Sequence, residues 1–144
     1  MKEIFIDATD HVLGRLASYV AKMVLEGNKV YIVNAEKVVI TGKWKNVLEE
    51  YKHKIIERGH WYKGPFYPKR PDRIVRRVIR GMLPKNYIGK EALKRVEVYI
   101  GIPDELKGKE FITIEKARID RINRKRKIWY VYLGEVSKQL GAKF

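Results

Sequence analysis

The sequence contains no cysteine, which excludes disulfide bonds, zinc–cysteine sites and cysteine catalysis among its 144 residues. No uncharged run approaches the ~18 residues that a membrane-spanning helix needs. The first ten residues carry Glu3, Asp7 and Asp10 without a long apolar stretch, so they do not resemble a signal peptide. We therefore expect a soluble, cytoplasmic protein with no membrane partner.

Acidic residues are scarce in the middle of the chain, although the whole chain has 32 Lys+Arg against 17 Asp+Glu. Residues 1–51 hold seven basic and seven acidic residues, whereas residues 52–90 hold twelve basic and only two acidic ones. Residues 91–144 hold thirteen and eight, which completes the net charge of +15. This distribution predicts one folded scaffold with a face that binds a polyanion, either nucleic acid or an acidic membrane surface.

Motifs for nucleotide, metal or nucleophilic chemistry are also missing. The segment TGKW at Thr41–Trp44 resembles the end of a phosphate-binding loop. That loop needs glycine where Lys37 stands and serine or threonine where Trp44 stands. The chain has three histidines, which are too scattered in sequence to suggest a metal cluster: His11, His53 and His60. We therefore expect no catalytic residue, metal, cofactor or small-molecule substrate.

The hydrophobic pattern that is present predicts an α/β fold. Alternating or β-branched runs predict four strands, at Glu3–Ala8, Lys29–Ala35, Val38–Thr41 and Val96–Gly101. Helical periodicity predicts helices after Asp10, after Thr41, before Pro84 and at about Lys90–Arg95, and Ile128–Leu133 is a separate edge segment. Because strands and helices alternate, we expect a parallel sheet covered by helices.

The segment Arg70–Asn86 has apolar residues at helical spacing on one face and arginines on the other. The arginines stand at i, i+3, i+4 and i+7: Arg73, Arg76, Arg77 and Arg80. They repel each other unless an anion lies against them, and the planar guanidinium suits bidentate phosphate contact. The alternative is a solvated helix face, but such faces usually mix Glu with Lys.

Two further basic segments flank this helix. The loop Arg58–Pro71 interleaves four aromatic residues with cations, which suits stacking on unpaired bases, although the aromatics could instead pack inward. The segment Lys116–Lys127 has seven basic residues and one acidic residue, and it could be an arm on phosphates or a disordered arm. No helix-turn-helix, zinc finger or basic zipper is present, so the mixture of helix, loop and arm favours folded RNA over duplex DNA.

Three blocks of the sequence resemble the L-thirteen family of large-subunit ribosomal proteins. They are Ile6–Lys22, Val30–Gly42 and Arg80–Gly101, and Gly64–Pro84 extends the third block upstream. The third block carries Gly-Met-Leu-Pro, then Gly89 and an alternating strand, at the spacing of the family signature. The short loop between Tyr51 and Gly64 and the long basic tail after Gly108 resemble the archaeal-type branch.

The resemblance implies a three-layer α/β/α fold around a four-stranded parallel sheet. Residues 1–108 would form a single RNA-binding domain, and residues 109–144 a basic C-terminal extension packed on or beside it. The implied function is that of a structural constituent of the large ribosomal subunit, which binds large-subunit rRNA and supports subunit assembly. Neighbouring ribosomal proteins would be further partners, and no catalysis or cofactor is implied.

The resemblance also implies RNA contacts at positions that match the family: Arg15, Lys43, Lys45, Arg73, Arg76, Arg77, Arg80, Lys85 and Asn86. The basic segments add RNA contacts of their own: Arg58, His60, Lys63, Lys69, Arg70, Arg121, Arg124, Lys125, Arg126 and Lys127. We expect alanine at Arg76 or Arg77 to weaken RNA binding with little loss of fold. Asp7 and Asn34 are expected to satisfy backbone groups near strand ends. The alternatives are a free-standing RNA-binding regulator, an RNA-processing enzyme and a DNA-compacting protein.

Overall fold

The α/β pattern of the sequence is confirmed in a computed structural model, which describes residues 2–57, 68–124 and 127–144. The strands are β1 (Glu3–Asp7), β2 (Lys29–Val33), β3 (Val39–Thr41), β4 (Val96–Val98) and β5 (Tyr130–Tyr132). The helices are α1 (Leu13–Leu25), α2 (Trp44–Lys52), α3 (Pro71–Gly81), α4 (Tyr87–Lys94), α5 (Ile119–Asn123) and α6 (Leu133–Gln139). Short 3-10 turns lie at Ala35–Lys37, Asp104–Leu106 and Glu115–Ala117, and a π-type turn at His53–Glu57 continues α2.

The centre of the fold is a parallel sheet in the order β1-β2-β4. Its register aligns Ile6 with Ile32 and Ile32 with Val98, so one face of the sheet is apolar. The helices α1, α3 and α4 contact one another and this sheet. The apolar face and these helices form the core, in which Ile6 and Ile32 are completely buried. Burial of each such side chain stabilises the fold by about 1.5–3 kcal/mol.

The prediction of four parallel strands is wrong for the described residues, in which the parallel sheet has three. The predicted strand around β3 instead pairs antiparallel with β5, with Thr41 opposite Tyr130. Between β2 and β3 the chain passes through Asn34, which has a left-handed φ of 59°, and a 3-10 turn that redirects it out of the parallel sheet. The vacant position beside β1 takes a single bridge from Ile112, whose N–H donates to the carbonyl of Phe5 at 2.8 Å.

The second face of the parallel sheet also departs from the three-layer expectation. Phe5 and Tyr31 stack across the strands at 4.9 Å, with the ammonium groups of Lys29 and Lys109 over their rings. Both rings are only half-buried, unlike the fully buried side chains on the helix-covered face. In the described parts of the chain, this face therefore has no covering helix layer, and the arrangement around the parallel sheet is two-layered.

The C-terminal residues are part of the same core. Leu133 and Val136 of α6 are completely buried and belong to the main hydrophobic cluster. Gly134 packs so close to the backbone of Glu36 that a Cβ at this position would lie 2.8 Å from the carbonyl oxygen of Glu36. Residues after 109 thus hold β3 and the 3-10 turn at Ala35–Lys37 in place.

Candidate nucleic-acid interface

Helix α3 separates its apolar and basic residues as the sequence predicts. Pro71 occupies the first helical position, where its missing N–H costs nothing, and Ile74, Val75 and Ile79 are completely buried. Arg73 and Arg80 are exposed on the other side. Neither forms an ion pair with any residue that the structure describes. Packing of the apolar face therefore fixes a row of cations at the surface.

Arg76 and Arg77 are less exposed than their neighbours on α3. The guanidinium of Arg76 donates a hydrogen bond from Nη1 to the carbonyl oxygen of Val96 at 2.8 Å, so it ties α3 to β4. Alanine at this position would leave that carbonyl without its donor, which costs stability. The expectation that Arg76→Ala causes little loss of fold therefore lacks support, and Arg73 and Arg80 are better probes of binding alone.

The turn after α3 is held by close backbone packing. Asn86 caps α4, because its side-chain oxygen accepts a hydrogen bond from the N–H of Gly89 at 3.1 Å. Gly89 is buried, and a Cβ there would overlap the carbonyl group of Pro84. Only glycine therefore fits at this position, five residues after Pro84. The sequence predicted RNA contact for Asn86, and the structure gives its side chain this capping role.

The end of α3, this turn and α4 enclose an open cleft of about 500 Å³. Among the residues that the structure describes, its lining includes no carboxylate and four cations: Arg77, Arg80, Lys85 and Lys90. A concave surface with one sign of charge focuses its field and attracts anions. We call this surface, together with Arg73, the arginine cleft. Its chemistry is suited to phosphate groups, and its Lys90 was not predicted from the sequence.

Arg15 and the residues just before α3 are also predicted site residues that the structure describes. Arg15 is exposed on α1 and lines a groove with Met82, which follows the last turn of α3, so the fold brings it near the arginine cleft. Lys69 and Arg70 are exposed directly before α3. The Nε of Arg70 lies 3.4 Å from a carboxylate oxygen of Asp72, which partly neutralises it.

A second group of predicted cations lies elsewhere, around the β3–β5 pair. Lys43 and Lys45 are exposed at the start of α2, and Lys127 is exposed just before β5. Arg121 and Arg124 are exposed on and just after α5, which packs through Ile119 on Val12 and Val39. Five predicted residues lie outside the described residues: Arg58, His60, Lys63, Lys125 and Arg126.

The carboxyl ends of the parallel strands, where open α/β sheets usually bind ligands, are filled by the chain itself. One carboxylate oxygen of Asp7 accepts hydrogen bonds from the Asn34 amide at 3.0 Å and from the Thr9 hydroxyl at 2.7 Å. Burial alone would raise the pKa of Asp7, but these hydrogen bonds outweigh it and lower the pKa below its usual value. The expectation that Asp7 satisfies backbone is confirmed by its bond from the Thr9 N–H at 3.0 Å.

His11 is completely buried beside this network. Its Nε2 accepts a hydrogen bond from the N–H of Ile114 at 2.9 Å, so its Nδ1 carries the proton and donates to the carbonyl of Thr9 at 3.0 Å. Burial lowers the pKa of His11, and the nearby charge of Arg118 lowers it further. His11 therefore attaches the C-terminal residues to the sheet as a neutral imidazole.

Tyr132 makes a similar link from β5. Its hydroxyl donates to a carboxylate oxygen of Asp10 at 2.8 Å, and this hydrogen bond with partial burial raises the pKa of Tyr132 to about 12. Within the described ranges, no three His, Asp or Glu side chains are grouped so that they could hold a metal ion. Nor does any helix in those ranges have the length and apolar character needed to cross a membrane.

The chain is similar to known proteins over nearly its whole length. Residues 1–105 match the family model described as Ribosomal protein L13. The chain is 48% identical to the large ribosomal subunit protein uL13 of Archaeoglobus fulgidus over 137 residues, which covers 94% of this chain and 86% of that protein. It is 50% identical to that of Methanosarcina barkeri, covering 96% and 98%, and 42% identical to that of Aeropyrum pernix, covering 99% and 92%. The family model and these archaeal relatives show that the chain belongs to the ribosomal protein L13 family.

Proposed function

We propose that this protein is a structural constituent of the large ribosomal subunit, which binds large-subunit rRNA and supports subunit assembly in the cytoplasm. The observation that carries the proposal is the arginine cleft, in a chain whose relatives are named large ribosomal subunit proteins. Exposed cations on a rigid frame bind RNA by contacting phosphates and releasing condensed counterions. Neutralised RNA segments can then pack against one another.

The cations of the arginine cleft supply the main contacts in this proposal. Arg73 and Arg80 stand on the face of α3 opposite the core, and Lys85 and Lys90 extend the same charge across the turn into α4. We propose that Arg15, which shares a groove with Met82, and Lys69 and Arg70, which are exposed just before α3, add further contacts to RNA. Residues 109–144 act as an extension packed on the family domain, and the contacts of Ile112, β5 and α6 with the earlier residues support that arrangement.

The role is structural and not enzymatic in our proposal. An RNA-processing enzyme would need convergent carboxylates or histidines beside the bound RNA. Within the described ranges, no carboxylate or histidine lines the arginine cleft, and Asp7 and His11 are engaged in internal hydrogen bonds. A free-standing RNA-binding regulator would use the same surface, so co-sedimentation with large subunits separates it from a ribosomal constituent.

A salt-titrated binding assay on large-subunit rRNA fragments tests the proposal, with small-subunit rRNA and duplex DNA as competitors. One large-subunit fragment should survive the competition. The double variant Arg73→Gln/Arg80→Gln should bind that fragment more weakly, and its log–log salt slope should be shallower by about 1.5, because two phosphate contacts are lost. Its free energy of unfolding should stay within about 0.5 kcal/mol of the original, since both side chains are exposed.

The matched control is Lys52→Gln/Lys107→Gln, which removes the same charge from exposed positions outside the arginine cleft. Its salt slope should equal that of the original protein. Equal salt slopes for the two double variants would mean that cations in the arginine cleft contribute no more to RNA binding than exposed cations elsewhere on the protein. Equal competition by all three polyanions would contradict specific binding to large-subunit rRNA.

A further inference from the structure

Two tryptophan side chains are exposed at positions that the arginine cleft does not explain. Trp44 is 40% exposed and Trp129 is 65% exposed. Tryptophan is highly buried on average in folded proteins, because its large apolar ring gains most from leaving water. Neither residue lines the arginine cleft. A second apolar surface therefore remains open to a partner.

The fold brings these two residues together from distant parts of the sequence. Beyond the last register pair of β3 and β5, Thr41 with Tyr130, the N–H of Gly42 donates to the carbonyl of Trp129 at 2.7 Å. Trp44 follows Gly42 by two residues and begins α2. Trp129 immediately precedes β5, and α2 packs against β5. Trp44 and Trp129 thus both lie at the end of the two-stranded sheet where Thr41 pairs with Tyr130.

The side chains around these indoles are positively charged. Lys43 and Lys45 flank Trp44 in sequence, and Lys127 precedes Trp129 by two residues. All three lysines are exposed. None of them forms an ion pair within the portion of the chain that the structure describes. We call Lys43, Trp44, Lys45, Lys127 and Trp129 the tryptophan–lysine patch.

We infer that the tryptophan–lysine patch binds unpaired nucleotides of RNA, with bases stacked on the indoles and phosphates held by the lysines. The inference rests on the proposed function and adds a second, chemically different contact to it. Flat apolar rings beside unpaired cations match single-stranded RNA, which offers exposed base faces and a charged backbone. Paired bases in a duplex are already stacked, so a duplex gains contact only with the lysines. An acidic protein surface would match the lysines but would leave the indoles without flat partners.

The test uses the full chain and two probes, a single-stranded RNA octamer of mixed sequence and an RNA duplex of eight base pairs. We expect the double variant Trp44→Ala/Trp129→Ala to lose at least about thirtyfold in affinity for the single strand, because each of the two stacked bases contributes about fivefold or more. Its affinity for the duplex and its salt slope on either probe should stay unchanged, since all lysines remain. Trp44→Phe/Trp129→Phe should keep most of the single-strand affinity, because phenylalanine still stacks.

Phe144→Ala is the matched control, because Phe144 is an exposed aromatic residue with the ammonium of Lys138 5.1 Å from its ring centre. It should bind both probes as the original protein does. The inference is overturned if the tryptophan variants lose no more single-strand affinity than Phe144→Ala, or if duplex affinity falls by the same factor. If Trp44→Ala/Trp129→Ala does not fold, two other double variants decide. Trp44→Phe/Trp129→Phe must keep most of the single-strand affinity, and Lys43→Gln/Lys127→Gln must make the salt slope on the single strand shallower.

Failure of this inference can be told from failure of the proposed function. If the tryptophan variants bind the octamer normally while Arg73→Gln/Arg80→Gln still weakens binding of the large-subunit rRNA fragment, only the tryptophan–lysine patch is wrong. If no large-subunit fragment survives competition but octamer binding depends on Trp44 and Trp129, the patch stands and the ribosomal role falls. The two variants therefore report on separate surfaces of one chain.

Discussion

At the carboxyl ends of β1 and β2, Asp7, Asn34 and His11 each bond to another group of the chain. On α3 and the turn that follows it, by contrast, the exposed cations Arg73 and Lys85 form no ion pair with any described residue. The first region is buried or partly buried, where an unpaired polar group costs about 1–3 kcal/mol. The second is solvated, where an unpaired cation costs little by itself. Burial therefore decides which polar groups must find partners within the chain.

The difference separates the groups that stabilise the fold from those that are available to a ligand. At the strand ends, Asp7 and Asn34 bond to each other and His11 bonds to Ile114 of the C-terminal residues, so changing these groups should lower stability. The cations of the arginine cleft repel one another, so changing them should alter binding and barely affect stability. The cleft nevertheless has a structural part of its own, the turn that positions Lys85 and Lys90.

The largest effect on stability is expected at the turn between α3 and α4, because this turn belongs to the fold and also positions cations of the arginine cleft. Gly89→Ala should lower the free energy of unfolding by about 3 kcal/mol, because its Cβ would overlap the carbonyl of Pro84 and force the first turn of α4 to move. Urea denaturation measures the loss. The folded fraction should also bind rRNA more weakly, since the shift displaces Lys85 and Lys90.

Gly14→Ala is the control for this change, because a Cβ at Gly14 meets no atom within 4 Å and the residue lies in α1. Alanine there should stabilise the protein by about 0.5–1 kcal/mol, the usual difference between glycine and alanine within a helix. Equal stabilities for the two variants would show that the Pro84–Gly89 contact relaxes without cost.

The second-largest effect is expected at His11, whose hydrogen bonds stabilise the fold. His11→Leu should lower the free energy of unfolding by about 2 kcal/mol, because the Thr9 carbonyl and the Ile114 N–H both lose their partner. The amide of Ile114 should exchange with solvent faster, since the C-terminal residues lose an attachment to the sheet. His53→Leu, at an exposed position far from Ile114 in sequence, should leave the exchange of the Ile114 amide unchanged. Wild-type exchange at Ile114 in His11→Leu would refute the attachment.

His11 also shows which parts of the molecule the sequence can predict. Helix α3 was predicted because its information is local: apolar and basic residues alternate with the helical period. The partner of His11 is 103 residues away in sequence, and no periodicity connects two such positions. The sequence therefore indicated only that His11 has no nearby histidine, and its role in the fold became visible through the hydrogen bond from Ile114.

Sequence periodicity reveals local structure but not which distant segments pair. This explains the wrong prediction for the pairing of β3 and the failure to predict Trp44 and Trp129 as site residues. The run at Val38–Thr41 predicted a strand, but no local signal distinguishes a parallel neighbour of β2 from an antiparallel partner of β5. Trp44 and Trp129 come together only through that pairing. Each was visible in the sequence beside lysines, so basic–aromatic neighbours are the signal that could have found the tryptophan–lysine patch.

The smallest effect concerns the protonation of His11. Lowering the pH should change the stability that His11 provides but not the RNA affinity of the arginine cleft. Burial lowers the pKa of His11 from its usual 6.5, so below pH 6.5 the unfolded chain binds a proton that the folded protein resists. The free energy of unfolding should therefore fall as the pH drops below about 6.5, by at most ~1.4 kcal/mol per pH unit, and level off below the lowered pKa. Asp7 contributes only later, as the pH falls below its usual 3.8, because its pKa is also lowered.

Urea denaturation between pH 7 and 5 should show the His11 step in the original protein and in His53→Gln, but not in His11→Leu. A step of the same size in all three proteins would assign the titration to groups other than His11. The affinity of the arginine cleft for RNA should change little over this range, because arginine and lysine keep their charge.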